Sequence, residues 1–512
     1  MKTKKIASFL LKHEWWALAA VITIFVAISL TNIGRWPIWF DEGYSQFLAQ
    51  FSYAKIAALT AVDVHPPLYY WALHTWGELF GYGESAIRSL SVTFGAVALL
   101  GLYAVMRRAF KRTVVPLLAI AFLAILPFFV HYAVETRMYT MAAAIVAWAT
   151  YFLLRATDQK PQSWKWWIGY GVLVSAGMWT HYFTAFAWLA HWLWRIIERR
   201  RGTIKQFWTR YWVGAYALAV ALFSPWLLIA YAQFTSVQGG FWIPPISSHT
   251  PVDYISNIFL FSKNDLVSGW GAVLFFVLTG LLLAVWYWHL KRQPKALQNS
   301  TFRLIFILAL VPPLLLVLMS LPPFKSTFVD RYMTYSILFL VPMIITALWY
   351  AAPNKKARTV VLSLLAGVQI VGLVSLYVLG GLYNDSGNSA IQTRNLMYDI
   401  AKQDASKTPI AVLDKWKVYE ATTYTTEQHP VVLIDDGEYP WGSYEPIRQQ
   451  EGQITIVATE EASSEFNRLW VLDDSSTKDY ETALPGWRIV QTIEREDPVR
   501  RAVYHKAFLL EK

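Results

Sequence analysis

The sequence predicts a polytopic α-helical membrane protein of about eleven spans that ends in a small α/β domain. Three observations carry this. The 512 residues are 55% hydrophobic and only 15% charged, where a soluble domain carries about 25%. Apolar runs of about 18–22 residues, the length of a spanning helix, recur along the chain. The charge is also divided: residues 1–384 hold 31 Lys and Arg against 12 Asp and Glu, and residues 385–512 hold 14 against 22. The basic excess of the whole chain, +11, therefore belongs to its membrane part and marks topology, not nucleic-acid binding.

The spans are expected near 15–33, 86–106, 114–131, 138–155, 166–181, 183–197, 211–231, 269–290, 302–320, 332–350 and 359–380. Met1–Lys12 is basic, but no small-residue cleavage site precedes Gly34, so the first run reads as a retained helix rather than a signal peptide. The N-terminus and alternate joints, among them "RRAFKR" (107–112) and "ERRR" (198–201), hold 24 of the 31 basic residues. The other joints hold seven: Arg35, Lys55, Arg88, Arg137, Lys263, Lys325 and Arg331. The positive-inside rule puts the first set, with the N-terminus, in the cytoplasm, and an odd count of spans puts the tail outside the plasma membrane. In that topology only Glu14, Asp158 and Glu198 face inward. Asp41, Glu42, Asp63, Glu78, Glu84, Glu135, Asp253, Asp265 and Asp330 lie at or near the outer face. Outer loops that avoid Lys and Arg leave acids behind anyway. That does not explain acids embedded in aromatic sequence.

The first outer joint, 34–85, is long and patterned. In "FDEGYSQFLAQF" Phe40, Tyr44, Phe47, Leu48 and Phe51 share one helical face, as expected of a helix lying in the membrane interface. "PPLYYWALHTWGELF" (66–80) is apolar nearly all round and too short to span, a second partly embedded helix with prolines at its start. The pairs Asp41/Glu42 and Asp63/His65 then sit at the two helix starts. Segment 232–268, with Gly239–Gly240 and Pro244–Pro245, reads as a lid or an ordinary connection. In the tail, the runs 409–413, 430–434, 453–458, 468–472 and 487–493 alternate with helix-compatible stretches, which predicts a mostly parallel sheet. There is no cysteine, which excludes disulfides, Cys-ligated zinc, iron–sulfur clusters and a thiol nucleophile.

Charged groups at a membrane boundary are costly unless paired, hydrated or used. Four outer constellations stand out. Asp41–Glu42 suits the first turn of a helix by capping and dipole alone, and equally a general base facing an acceptor hydroxyl. In "DVHPPLYY" (63–70), Asp63 and His65 precede a rigid Pro-Pro, either as a plain turn or as a phosphate or metal ligand pair. In "HYAVETRMYT" (131–140), Arg137 pairs with Glu135, or offers donors with Tyr139 to a phosphate. "THYF" (180–183) brings His181, and "FKSTFVDRYM" (324–333) brings Lys325 and Arg331. An outward-facing aromatic site holding carboxylates and cations suits transfer from a lipid phosphate, because fixed cations stabilise a leaving phosphate.

Asp41–Glu42 after the first helix, "DVHPPLYY", "ETRMYT" and "DRYM", in this order, resemble the membrane-embedded GT-C glycosyltransferases, nearest to the protein O-mannosyltransferase and aminoarabinose-transferase superfamily. The resemblance covers roughly residues 15–380 and implies the GT-C fold. It implies an inverting glycosyltransferase that moves a sugar, mannose or another hexose, from a polyprenyl-phosphate carrier to an extracytoplasmic glycan, lipid or protein. Asp41 is then the catalytic base or the acid that orients the acceptor, and Glu42 its support. Arg137, Tyr139, Lys325, Arg331 and His65 bind the donor phosphate. A divalent metal stays open, with Asp63, His65 and His181 as the set to hold it. Asp63-x-His65-Pro-Pro matches the protein mannosyltransferases, where aminoarabinose transferases carry Glu-x-Lys-Pro, so lipid A is disfavoured as acceptor. The tail does not resemble the sugar-binding modules of eukaryotic protein mannosyltransferases. Two rivals remain: a flippase for lipid-linked sugars, which calls for mid-membrane ionisable residues and pseudo-symmetric halves, and a non-catalytic assembly subunit.

Overall fold

The protein is seen in a computed structural model that describes residues 12–111, 114–158, 163–239, 243–261, 280, 287, 291, 295–378, 385–425, 429–435, 442–449, 454–473, 484–496 and 504–512. Contacts divide the chain into two compact units. The first comprises Met1–Ile33, Val64–Ala72 and Arg88–Val378; the second comprises Gly34–Asp63, Leu73–Ile87 and Leu379–Lys512.

The first unit is helical and belongs in a membrane. Seven helices among the described residues are long and apolar enough to cross, at Glu14–Thr31, Glu84–Ala109, Tyr139–Asp158, Arg210–Val237, Ser300–Met319, Asp330–Ala351 and Lys355–Tyr377. The span expected at 114–131 is broken. Val115–Ala124 and Pro127–Ala133 meet at 64°, and counting them as one span gives eight. The break sits at Pro127, whose ring forces extended backbone on Leu126. Trp164–Thr180 and Ala185–Arg200 are helices where expected but only 17 and 16 residues long. The span expected at 269–290 falls almost wholly outside the described residues. Eleven spans are therefore not all visible.

Helix Thr334–Ala351 is buried along nearly its whole length. It explains how helix Ser300–Met319 tolerates two internal prolines. Pro312 and Pro313 have no N–H to offer the carbonyls four residues back, Leu308 and Ala309. The Ser336 hydroxyl lies 2.7 and 3.0 Å from those two oxygens. In a medium without water this side chain replaces the missing helix bonds. Ser336→Ala should destabilise the protein by about 1–3 kcal/mol, the cost of stranding buried carbonyls. A thermal midpoint in detergent equal to wild type overturns this.

The three acids expected on the cytoplasmic side are paired. Glu14 meets Arg107 at 2.6 Å, Glu198 meets Arg303 at 2.6 Å, and Asp158 meets Arg108. Each acid assigned to the cytoplasmic face thus pairs with an arginine assigned to the same face. One ionisable group inside the bundle escaped the sequence reading. His191, fully buried in helix Ala185–Arg200, bonds the Thr150 and Tyr170 hydroxyls, each at 3.0 Å. Both ring nitrogens are satisfied, which fits a structural role.

In the second unit the tail forms a six-stranded sheet in the order β3-β2-β1-β4-β6-β5. β1 (Ile410–Val412), β2 (Val431–Asp435), β3 (Ile454–Ala458) and β4 (Arg468–Asp473) are parallel, and β5 (Arg488–Glu496) and β6 (Tyr504–Glu511) close one edge antiparallel. Five strands coincide with the five apolar runs. β6 was missed because its first half, Tyr504–Lys506, is polar. Asp404 ties the end of helix Asp385–Gln403 to β4, accepting from the Ser406 amide at 2.8 Å, from the Ser406 hydroxyl and from the Trp470 indole at 2.8 Å. Burial raises its pKa, but these bonds win and hold it at about 2, below the 3.8 of a free Asp. A depressed pKa contributes stability that is present above pH 3.8 and lost as pH falls through about 2. Asp404→Asn should lower the thermal midpoint at pH 7, with the gap to wild type closing in acid; a pH-independent gap overturns the assignment.

Candidate active site

The candidate residues fall into two groups, one in each unit. In the first unit, Pro66 and Pro67 open helix Leu68–Phe80, and the segment Val64–Ala72 is docked by Tyr69 and Tyr70, both fully buried, and by Trp71, which stacks on Trp179. This holds His65 beside Arg137. Arg137 lies in the turn between helices Pro127–Ala133 and Tyr139–Asp158. Its amide bonds the Glu135 carbonyl at 2.7 Å, and its own carbonyl accepts from Ser91 at 3.4 Å. Its buried guanidinium reaches the Tyr70 hydroxyl and His65 Nε2, each at 3.2 Å.

Arg331 arrives from a third element. The 3₁₀ turn Asp330–Met333 precedes the central helix, and buried Asp330, its first residue, accepts from the Arg331 amide at 2.8 Å and from the Asn257 side-chain amide. Tyr332 then packs on His181 and Phe183, with ring centroids 5.1 and 5.3 Å apart. Helix Trp164–Thr180 ends just before His181, whose backbone is already extended. His181 is buried, with His65, Arg137 and Arg331 near enough to act on it electrostatically. The two arginines carry fixed charge beside it. Tyr139, at the start of its helix, rings the cluster with Tyr132, His181 and Tyr332. Lys325 is exposed on the segment ahead of the turn. Tyr70, Tyr332 and Asn257 were not singled out from the sequence. The first two lie inside quoted motifs, while Asn257 carries no local signal.

In the second unit, helix Phe40–Leu48 carries Asp41 and Glu42 in its first turn. Its N-cap is Trp39, with no side-chain cap bond, so Asp41 is not the capping residue. Glu42 is buried and Asp41 half-buried. The apolar stripe expected to lie in the membrane interface is covered by protein instead. Phe40 packs on Trp416, Tyr419 and Tyr444, and Tyr44 and Phe47 pack on Tyr419, with centroids 4.9–5.8 Å apart. Each such aromatic pair contributes about 0.5–1.5 kcal/mol beyond its buried area. Periodicity reports a buried face, not what buries it. Asp63 is buried just after helix Tyr53–Ala61 and accepts from the Tyr44 hydroxyl at 3.3 Å.

The metal set is not assembled. Among the described residues no three His, Asp or Glu side chains gather to hold an ion. Asp63 is engaged by Tyr44, His65 faces a guanidinium, and His181 is packed among aromatic rings.

This arrangement has relatives. Residues 64–229 match the family described as Dolichyl-phosphate-mannose-protein mannosyltransferase, a match that begins inside "DVHPPLYY". ArnT from Cupriavidus metallidurans bound to undecaprenyl phosphate superposes with a TM-score of 0.60 at 12% identity, covering 96% of this chain and 97% of that one. Its apo state gives 0.61 at 12% identity, covering 97% and 98%. The chain has the GT-C fold. The structural similarity to ArnT runs through the tail and not only residues 15–380, since it takes in almost the whole chain. No curated protein matches it by sequence.

Proposed function

We propose that this protein is an inverting glycosyltransferase that moves a sugar, mannose or another hexose, from a polyprenyl-phosphate carrier to a glycan, lipid or protein outside the cytoplasm. The observation that carries this reading is the cation cluster: Arg137 bonded to His65 and Tyr70, with Arg331 brought beside His181. Two fixed guanidiniums in a buried, aromatic setting suit a phosphodiester better than any neutral ligand. The match to a dolichyl-phosphate-mannose family and the likeness to a protein that binds undecaprenyl phosphate support it.

In the reaction an acceptor oxygen attacks the anomeric carbon as the carbon–phosphate oxygen bond breaks. The leaving phosphate gains negative charge, which Arg137, Arg331 and His65 stabilise, with Tyr139 and Lys325 as further donors. Asp41 takes the acceptor proton and Glu42 supports it. The basic residues gathered at one set of joints support a cytoplasmic N-terminus and an extracytoplasmic tail in the plasma membrane. The test is purified protein given radiolabelled undecaprenyl-phosphate mannose and undecaprenyl-phosphate glucose with envelope extract. Transfer of label to a new product, with release of undecaprenyl phosphate, is expected. Neither transfer nor binding of either donor overturns the reading.

A further inference from the structure

The tail takes part in the second unit in a way the proposed reaction does not use. Helix Val418–Tyr424 lies against the helix that bears Asp41 and Glu42. The contact is close at one point: a Cβ added at Gly43, next to Glu42, would sit 2.8 Å from the Tyr419 Cβ and 3.2 Å from its backbone. Only a glycine lets the two helices approach this far. Around it, Tyr419 fills the hollow between Phe40, Tyr44 and Phe47. The Thr423 hydroxyl donates to the Gln46 side chain at 2.9 Å. The Tyr424 hydroxyl accepts from the Ile38 amide at 2.6 Å, just ahead of the acid-bearing helix, and donates to Glu84. Tyr419 and Thr423, one turn apart, share a face of helix Val418–Tyr424. The chain next to Asp63 is met as well: a Cβ at Gly442 of the tail would overlap the Val62 carbonyl.

We infer that the C-terminal domain positions the acid-bearing segments of the first outer joint, with Tyr419 as the positioning residue for Asp41 and Glu42. The inference rests on the proposed role of Asp41. Tyr419 acts on no substrate atom; it fixes the height and rotation of a short helix. Nine residues make a marginal helix in isolation, so its orientation must be supplied by packing. A catalytic group displaced by about 1 Å costs up to about a hundredfold in rate.

The test compares Tyr419→Ala, Tyr419→Phe, Gly43→Ala and Asp41→Asn in the full-length protein, reading kcat for transfer and, separately, the Kd for undecaprenyl phosphate. Tyr419→Ala should lower kcat by about 10–100-fold with the Kd unchanged, because the phosphate-binding cations belong to the other unit. Tyr419→Phe keeps the ring and should keep kcat. Gly43→Ala favours the helix by propensity yet intrudes on Tyr419, so a fall in kcat at unchanged Kd reads out position and not helix loss. It also decides the matter if Tyr419→Ala fails to fold. Wild-type kcat in Gly43→Ala, or in a folded Tyr419→Ala, while Asp41→Asn is inactive, overturns the positioning role. Wild-type kcat in Asp41→Asn overturns the base assignment, and this inference with it.

Discussion

Arg137→Ala should lower transfer from a polyprenyl-phosphate sugar by about 10²–10³-fold, the usual cost of deleting one preorganised donor to a developing anion. The size follows from where Arg137 sits. Its side chain is 3% exposed and its guanidinium is already aimed by Tyr70 and His65. Little reorganisation is left to do when charge builds on the leaving phosphate. Arg331 can hold part of the phosphate, so donor binding should weaken less than turnover falls. Arg137→Lys should recover only a fraction, since an ammonium lacks the planar fork that engages two phosphate oxygens at once. The measurement is single-turnover transfer together with the Kd for undecaprenyl phosphate. Wild-type turnover in a folded Arg137→Ala protein removes Arg137 from the phosphate site.

The positions of most elements were legible in the sequence, and their surroundings were not. Apolar runs located the spans because a bilayer forces every backbone bond to be made within the helix. The same runs could not separate helix Thr334–Ala351, buried along nearly its whole length, from helix Glu14–Asn32, which exposes Trp15 and Trp16. Lipid and protein interior are equally apolar, so no periodic signal distinguishes them. Pro127 broke a span that hydropathy joined, since a hydropathy window counts proline as one more residue of a run. Asp330 and Asn257, 73 residues apart, meet only through tertiary packing.

The candidate residues show the same division. Arg137 and His65 were picked because both sit in polar breaks of aromatic sequence, and the fold brings them to 3.2 Å. Asp63 and His65 were paired with His181 on type alone, and the structure gives each a different occupation. The amphipathic stripe through Phe40, Tyr44 and Phe47 was visible. Its cover, Trp416, Tyr419 and Tyr444, lies more than 360 residues away, and nothing local to either segment announces the other.

Asp41→Asn should cost about 10²–10⁴-fold in turnover, the range for a general base in the transition state. The substitution keeps shape and loses only charge and basicity, so it is a sharper test than truncation. Helix capping gives no competing account. Trp39 holds the N-cap position, and Asp41 has its own backbone carbonyl bonded by Ser45 at 2.8 Å within an intact helix. A dipole contribution from a first-turn acid is typically worth about 0.3–1 kcal/mol of stability. That is too small to unfold the protein and makes no demand on rate. Glu42→Gln separates the two neighbours. Glu42 is 2% exposed, buried behind Asp41 on the same turn, so its loss should act on stability and kcat together. Loss of Asp41 should act on kcat alone. If Asp41→Asn turns over like wild type while remaining folded and donor-bound, the acceptor proton leaves by another route and the base must be sought elsewhere. If it is inactive but still hydrolyses the donor slowly to free sugar, the cations alone are activating the leaving group. Acceptor deprotonation is then the step that Asp41 supplies.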